Sequence, residues 1–214
     1  MIAAIVPAVN GDANLGACLR SLAAASRCLR LRGERVVLVV ALDSCSDATE
    51  HIAIRSGALT VKVDCLNVGV ARAAGARVAL EAGAHWLAFT DANSVVAPDW
   101  FAAQLSLGTD AVCGTVAMID WGSCGALLQQ DYHPTFTDAN DQRHIHGSNM
   151  GVSAQAYRRA GGLAPLASGQ NVALVEALER SGASVAWSTA PRVLTSPRRK
   201  YRAPSGFGRY ASVH

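Results

Sequence analysis

Apolar and polar residues alternate in blocks along this chain. A short apolar run over residues 1–7 opens it. An amphipathic stretch follows over residues 12–31, with Leu15, Cys18, Leu19 and Leu22 at helical spacing. Residues 36–42 form a continuous apolar run that stops at Asp43, the mark of a strand buried on both faces. Residues 46–56 read as a helix, 59–63 as a strand, and 67–82 as a helix stopped by Gly83. Residues 86–90 read as another strand, ending at Asp91. Pro98 starts a short helix, and residues 111–118 read as a strand. The pattern then loosens. Residues 120–143 are mixed in composition and read as a loop-rich excursion, of the kind that forms binding loops or lids. Helices are expected over 154–160 and 172–180, and short strands over 185–187 and 192–195.

This alternation predicts an α/β fold: an open, mostly parallel sheet with helices on both faces. No repeat or linker divides the chain, so one domain is expected over residues 1–196, followed by a basic tail or lid over 197–214. Open sheets of this kind bind ligands beyond the carboxyl ends of their strands. The polar clusters at 7–10, 43–47 and 91–94 each follow an apolar strand, so all three should converge on one crevice.

Composition narrows the classes. No apolar run reaches the about eighteen residues of a membrane span, and the start lacks the basic and long apolar segments of a signal peptide. A cytoplasmic protein is therefore expected. The six cysteines include no Cys-x-x-Cys pair, which argues for reduced, mostly buried thiols rather than a zinc or redox site. Net charge is +3, yet Arg192, Arg198, Arg199, Lys200, Arg202 and Arg209 crowd the end with no acid among them. The rest of the chain is thus slightly acidic, and the tail suits phosphates or an anionic membrane surface. Neither the G-x-G-x-x-G pattern nor a P-loop occurs.

Five short motifs stand in a fixed order: Ile5-Val6-Pro7-Ala8-Val9-Asn10, Asp43-Ser44-Cys45-Ser46-Asp47, Asn67-Val68-Gly69-Val70-Ala71-Arg72, Thr90-Asp91-Ala92-Asn93 and Gly147-Ser148-Asn149-Met150. In that order the chain resembles a family-2 glycosyltransferase of GT-A fold. The resemblance implies a nucleotide-diphosphosugar donor, an unidentified acceptor, and no nucleic-acid partner. Pro7, Ala8 and Asn10 would line the base and ribose pocket, and Asp43 would accept hydrogen bonds from the base or ribose. Arg72 would pair with a phosphate or with Asp91, while Arg198 and Arg199 would reach back to the diphosphate. Ser44 and Asp47 are equally natural helix caps.

Where the family carries Asp-x-Asp around a divalent cation, this chain has Asp91 and Asn93. Mg²⁺ or Mn²⁺ is the implied cofactor. His144 and His146, read as alternate residues of a strand, offer a further ligand, His146 above all. Just before the helix of residues 172–180, the family has an acid pair that supplies the catalytic base. Here Gln170 and Asn171 stand there, and an amide has no usable basicity. Asp131, Asp138, Asp141 and Glu176 are the substitutes in reach of sequence reasoning. Two functions follow: a transferase that moves the sugar from a nucleotide-diphosphate donor to an acceptor hydroxyl with inversion, or a degenerate sugar-nucleotide-binding module that has lost turnover. A nucleotidyltransferase would carry a basic, glycine-rich loop after the first strand, and residues 8–15 contain no Lys or Arg.

Overall fold

The computed structural model describes residues 1–118 and 145–196. In chain order the elements are β1 (Ile2–Ala8), α1 (Asp12–Ala25), a 3-10 turn (Leu29–Leu31), β2 (Val36–Asp43), α2 (Thr49–Arg55), β3 (Leu59–Val63), α3 (Val68–Glu81), β4 (Trp86–Phe89), β5 (Ser94–Val96), α4 (Trp100–Leu105), β6 (Ala111–Met118), β7 (Met150–Ser153), α5 (Ala154–Arg159), α6 (Gln170–Arg180) and β8 (Val185–Thr195). The eight strands form one sheet in the order β3-β2-β1-β4-β7-β6-β8-β5. β1 pairs in parallel with β2 and β4, β2 with β3, and β6 with β8. β7 is antiparallel to both β4 and β6, and β5 to β8. The α/β class and the mostly parallel sheet are as the alternation predicted.

Side chains alternate across β1 as period two requires. Ile2, Ala4, Val6 and Ala8 join the core under α1 and α4, while Ala3 and Ile5 join the core under α3, α5 and α6. α1 buries Leu15, Cys18, Leu19 and Leu22, the stripe read from its spacing. α3 lies close on β1 because Gly75 has no side chain there: a Cβ would stand 2.8 Å from Ile5 Cγ2. Among the described residues no helix is long and apolar enough to cross a membrane.

The differences from the sequence pattern are local. Strands β5 and β7 are three and four residues long, too short for a periodic signal. The two short strands expected near the end are one strand, β8, with a register shift opposite Gly114 and Thr115. The α6 helix starts at Gln170, so Gln170 and Asn171 occupy its first turn rather than a preceding loop. His146 is not on a strand; it lies in the irregular segment before β7, and its carbonyl accepts from Asn149 N at 3.0 Å.

Candidate active site

Strands β1 to β4 are mutually parallel, so their carboxyl ends share one edge. Chain order reverses there, with β2 and β3 on one side of β1 and β4 on the other, and such a switch point opens a crevice. The loops at 9–11, 44–48, 64–67 and 90–93 rim it. Three of the four non-glycine residues with positive φ among the described residues sit in these loops: Asn10 (44°), Ser44 (51°) and Leu66 (48°). Such conformations persist where surrounding contacts over-determine them, which is common at functional sites.

Those contacts are explicit. Asn10 Oδ1 accepts from Ser46 N at 2.8 Å, and Gly11 N donates to Thr49 Oγ1 at 2.8 Å. Asp47 accepts from Thr49 N at 3.0 Å, from the Thr49 hydroxyl, and from Asp12 N at 3.2 Å. Asp47 stands one residue before Ala48, the N-cap of α2, and ties the β1 and β2 loops together. Asp43 is fully buried. Its Oδ1 accepts from Cys65 N and Leu66 N, each at 2.9 Å, and its Oδ2 from Asn67 N at 2.8 Å. Burial pushes its pKa up. The three backbone N–H groups and the Ser44 hydroxyl outweigh burial and hold it below the ordinary carboxylate value. Asp43, expected to accept from a base or ribose, is a buried anchor of the β3–α3 loop. Pro7 and Ala8 are buried within β1, and Asn10 is the exposed member of that trio.

The loop anchored by Asp43 delivers α3. Its N-cap is Asn67, whose Oδ1 accepts from Gly69 N at 2.9 Å and Val70 N at 3.1 Å. One turn further on, Arg72 is 3% exposed. Its Nη2 donates to Asp91 Oδ1 at 2.6 Å and its Nη1 to Asn171 Oδ1 at 3.1 Å; its Nε is buried without a partner. One guanidinium thus joins the end of β4 to the first turn of α6. Gly147 makes room for this cluster. A Cβ there would collide with Asn171 Nδ2 and stand 2.5 Å from Arg72 Nη1. Gln170 is buried against the start of α3, its Cγ 3.1 Å from the place of a Gly69 Cβ.

Of the expected metal donors, Asp91 keeps one carboxylate oxygen clear of Arg72, and its side chain is 27% exposed. Asn93 is turned elsewhere. Its Nδ2 donates to Ser196 O at 2.6 Å, Ser196 N donates back to Asn93 O at 3.1 Å, and its Oδ1 is buried. Asn93 therefore clamps the end of β8. Among the described residues no group of three or more His, Cys, Asp or Glu could hold a metal ion. The donor set fits a cation that arrives with substrate phosphates and takes one carboxylate from the protein, as Mg²⁺ commonly does. Glu176 is exposed and lies 3.8 Å from Arg180 on the outer face of α6, so it is no substitute base. His144, Asp131, Asp138, Asp141, Arg198 and the basic tail lie outside the described residues.

Sequence reasoning missed the inner role of Asn149. It is fully buried, accepts from Trp100 Nε1 at 2.8 Å, and donates to Thr115 O at 2.6 Å and Pro191 O at 2.7 Å. It fills the register shift between β6 and β8. Its place beside a glycine and a serine carried no signal of that task.

Comparisons with known proteins give the family and the fold. Residues 3–161 match the family model described as glycosyl transferase family 2. The fold resembles TarS residues 1–349 from S. aureus, solved with UDP-GlcNAc (TM-score 0.72, 12% identity), over 96% of this chain and 61% of that one. It resembles a mannosyltransferase from Pyrobaculum calidifontis, solved with GDP-Man and Mn²⁺ (0.66, 15%), over 93% and 57%. It also resembles glucosyl-3-phosphoglycerate synthase from Mycobacterium tuberculosis, solved with Mn²⁺, UDP and glucosyl-3-phosphoglycerate (0.63, 18%), over 94% and 73%. The chain spans about three fifths of the length of TarS 1–349. No curated protein matches it in sequence.

Proposed function

The chain belongs to glycosyl transferase family 2, and from that premise we propose that it transfers a sugar from a nucleotide-diphosphate donor to an acceptor, with inversion at the anomeric carbon. The observation that carries this reading is the Asp91–Arg72–Asn171 cluster at the switch point of the sheet. It fixes one carboxylate at the mouth of the crevice and sets the start of α6 across from it.

In this reading the base and ribose lie over the β1 and β2 loops, against Asn10 and the backbone that follows Pro7 and Ala8. Asp43 acts from beneath by holding the β3–α3 loop. The diphosphate lies toward Asp91, and Arg72 orients that carboxylate from behind. A Mg²⁺ or Mn²⁺ ion on Asp91 would offset charge on the leaving diphosphate. Asn93 clamps Ser196 beside Asp91, and in this reading Arg198 pairs with the diphosphate. The acceptor enters from the side of Gln170 and Asn171 and attacks opposite the leaving group. The basic tail also supplies a contact for an anionic membrane surface.

Calorimetric titration with UDP and with GDP, each with and without Mn²⁺, tests the donor site. Micromolar binding of one nucleotide is expected, and binding of neither removes the reading. A second reading, a binding module without turnover, is favoured by one observation: the first turn of α6 contains no acid. It predicts nucleotide binding with no release of nucleoside diphosphate from any donor sugar.

A further inference from the structure

Positive charge is also concentrated far from the crevice. Residues 27–35 hold four arginines and one glutamate in nine positions. They form the turn between α1 and β2, so they lie at the amino ends of the parallel strands, the edge opposite the crevice. The turn is fixed to the body. Leu31 is buried in the core under α1 and α4, and Cys28 packs against the same core. Arg30 Nη1 stands 3.3 Å from Asp99 Oδ2, at the N-cap of α4. Arg32 and Gly33 then reverse the chain with φ of 52° and 81°. Outside this anchored turn stand Leu29, 94% exposed, and the exposed arginines Arg27, Arg30, Arg32 and Arg35. Among the described residues Arg27, Arg32 and Arg35 make no ion pair and no side-chain hydrogen bond. The acid inside the turn, Glu34, is taken by the terminal ammonium of Met1 at 2.6 Å and by His85 Nε2 at 3.0 Å. Those two hydrogen bonds hold its carboxyl below the ordinary value.

The fold gains nothing from this surface. Crowded arginines repel one another, and an exposed leucine buries no area. A partner that uses both must offer negative charge and an apolar layer together. We propose that the 27–35 turn docks the protein on an anionic phospholipid surface. Leu29 enters the boundary between headgroups and acyl chains, and Arg27, Arg32 and Arg35 meet the lipid phosphates. Their aliphatic stems lie along the apolar layer while the guanidinium groups stay at headgroup level. A single-stranded nucleic acid also offers phosphates, but its bases are held by stacking on aromatic rings, and residues 27–35 contain none. A second copy of this chain would bring like charges together. The crevice stands at the far ends of the same strands, so it stays open to water in the docked protein. The contact is independent of the donor site and of the basic tail.

The test is co-sedimentation of the full chain with vesicles of phosphatidylcholine alone, and of phosphatidylcholine with about one third phosphatidylserine. Binding to the anionic vesicles is expected, at least about tenfold stronger than to the neutral ones, and lost in about 0.5 M salt. Each arginine at such a surface strengthens binding about fivefold, so Arg27→Gln, Arg32→Gln and Arg35→Gln together should weaken it at least about thirtyfold. At unchanged charge, Leu29→Ser should weaken binding severalfold and Leu29→Trp should strengthen it, which a purely ionic contact would not show. The urea midpoint of each variant should match the parent's, because none of these four residues is buried. A further variant, with Arg198, Arg199, Lys200, Arg202 and Arg209 all changed to Gln, separates the turn from the tail; it should still bind, and still respond to Leu29→Ser. The proposal is overturned if neither vesicle is bound, or if both are bound equally. It is overturned if the triple arginine change or Leu29→Ser leaves binding as it was, or if neutralising the tail abolishes it. Tighter binding to a single-stranded RNA oligonucleotide than to the anionic vesicles, lost in the triple arginine variant, overturns it in favour of nucleic acid.

Discussion

Single side chains do two kinds of work in this protein, and burial separates them. Asn149 and Asp43 are fully buried and hold backbone, whereas Asn10 and Asp91 reach the crevice. Replacing Asn149 by Ala leaves Trp100 Nε1 and the carbonyls of Thr115 and Pro191 without partners. Each buried unpaired group costs about 1–3 kcal/mol, so a loss of about 2–5 kcal/mol is expected in urea unfolding of Asn149→Ala. Asp43 makes stability depend on pH. Its pKa is lower in the folded chain than in the unfolded one, so its contribution is complete above about pH 4 and is lost as pH falls through the folded value. Asp47 and Asp110, held low by hydrogen bonds from Thr49 and Ser184 among others, act in the same direction. The thermal midpoint should fall below about pH 4, and less steeply in Asp43→Asn than in the parent chain. The sequence showed Asp43 and Asp91 at strand ends. It could not show which of them point inward, because that depends on the left-handed turns at Ser44 and Leu66.

Helices α3 and α6 are separated by 88 residues of sequence between Glu81 and Gln170, yet their first turns touch. Gly69 admits Gln170, and Gly147 admits Asn171 and Arg72. Gly147→Ala puts a methyl group into the last two, so one of them must leave the Arg72–Asn171 hydrogen bond. Nucleotide affinity should fall about tenfold or more by calorimetry, while the urea midpoint moves far less than in Asn149→Ala. Most elements were readable from pattern: β1 to β4, α1, α3 and β6 follow their apolar periods. β5 and β7 were not: both are short, and a serine or glycine interrupts each, whereas the equally short β4 is wholly apolar. The same holds for β8, whose two apolar pieces are joined through the bulge that Asn149 fills.

At the scale of the whole molecule, the parallel half of the sheet makes the crevice, and the half built around β7 closes its flank. β7 is antiparallel to both neighbours and connects β4 to β6, so the far strands β6 and β8 end on the same edge as β4. That places Ser196 beside Asn93. Truncation after Ser196 removes no described core residue. It should leave the thermal midpoint within a few degrees of the parent while weakening binding of UDP or GDP, more so at low salt.

The sequence by itself determined the α/β class, the strand ends that form the crevice, and the absence of an acid at the start of α6. Those features are local: apolar period, the polar residue that ends each run, and residue identity. Only the tertiary structure decided that Asp43 and Asn149 face inward, that Asn93 clamps Ser196, and that Arg72 binds Asp91 and Asn171 at once. Each of those depends on partners far apart in the chain, and the direction of a side chain is set by the backbone turn and the neighbours it meets. No spacing along the sequence encodes either.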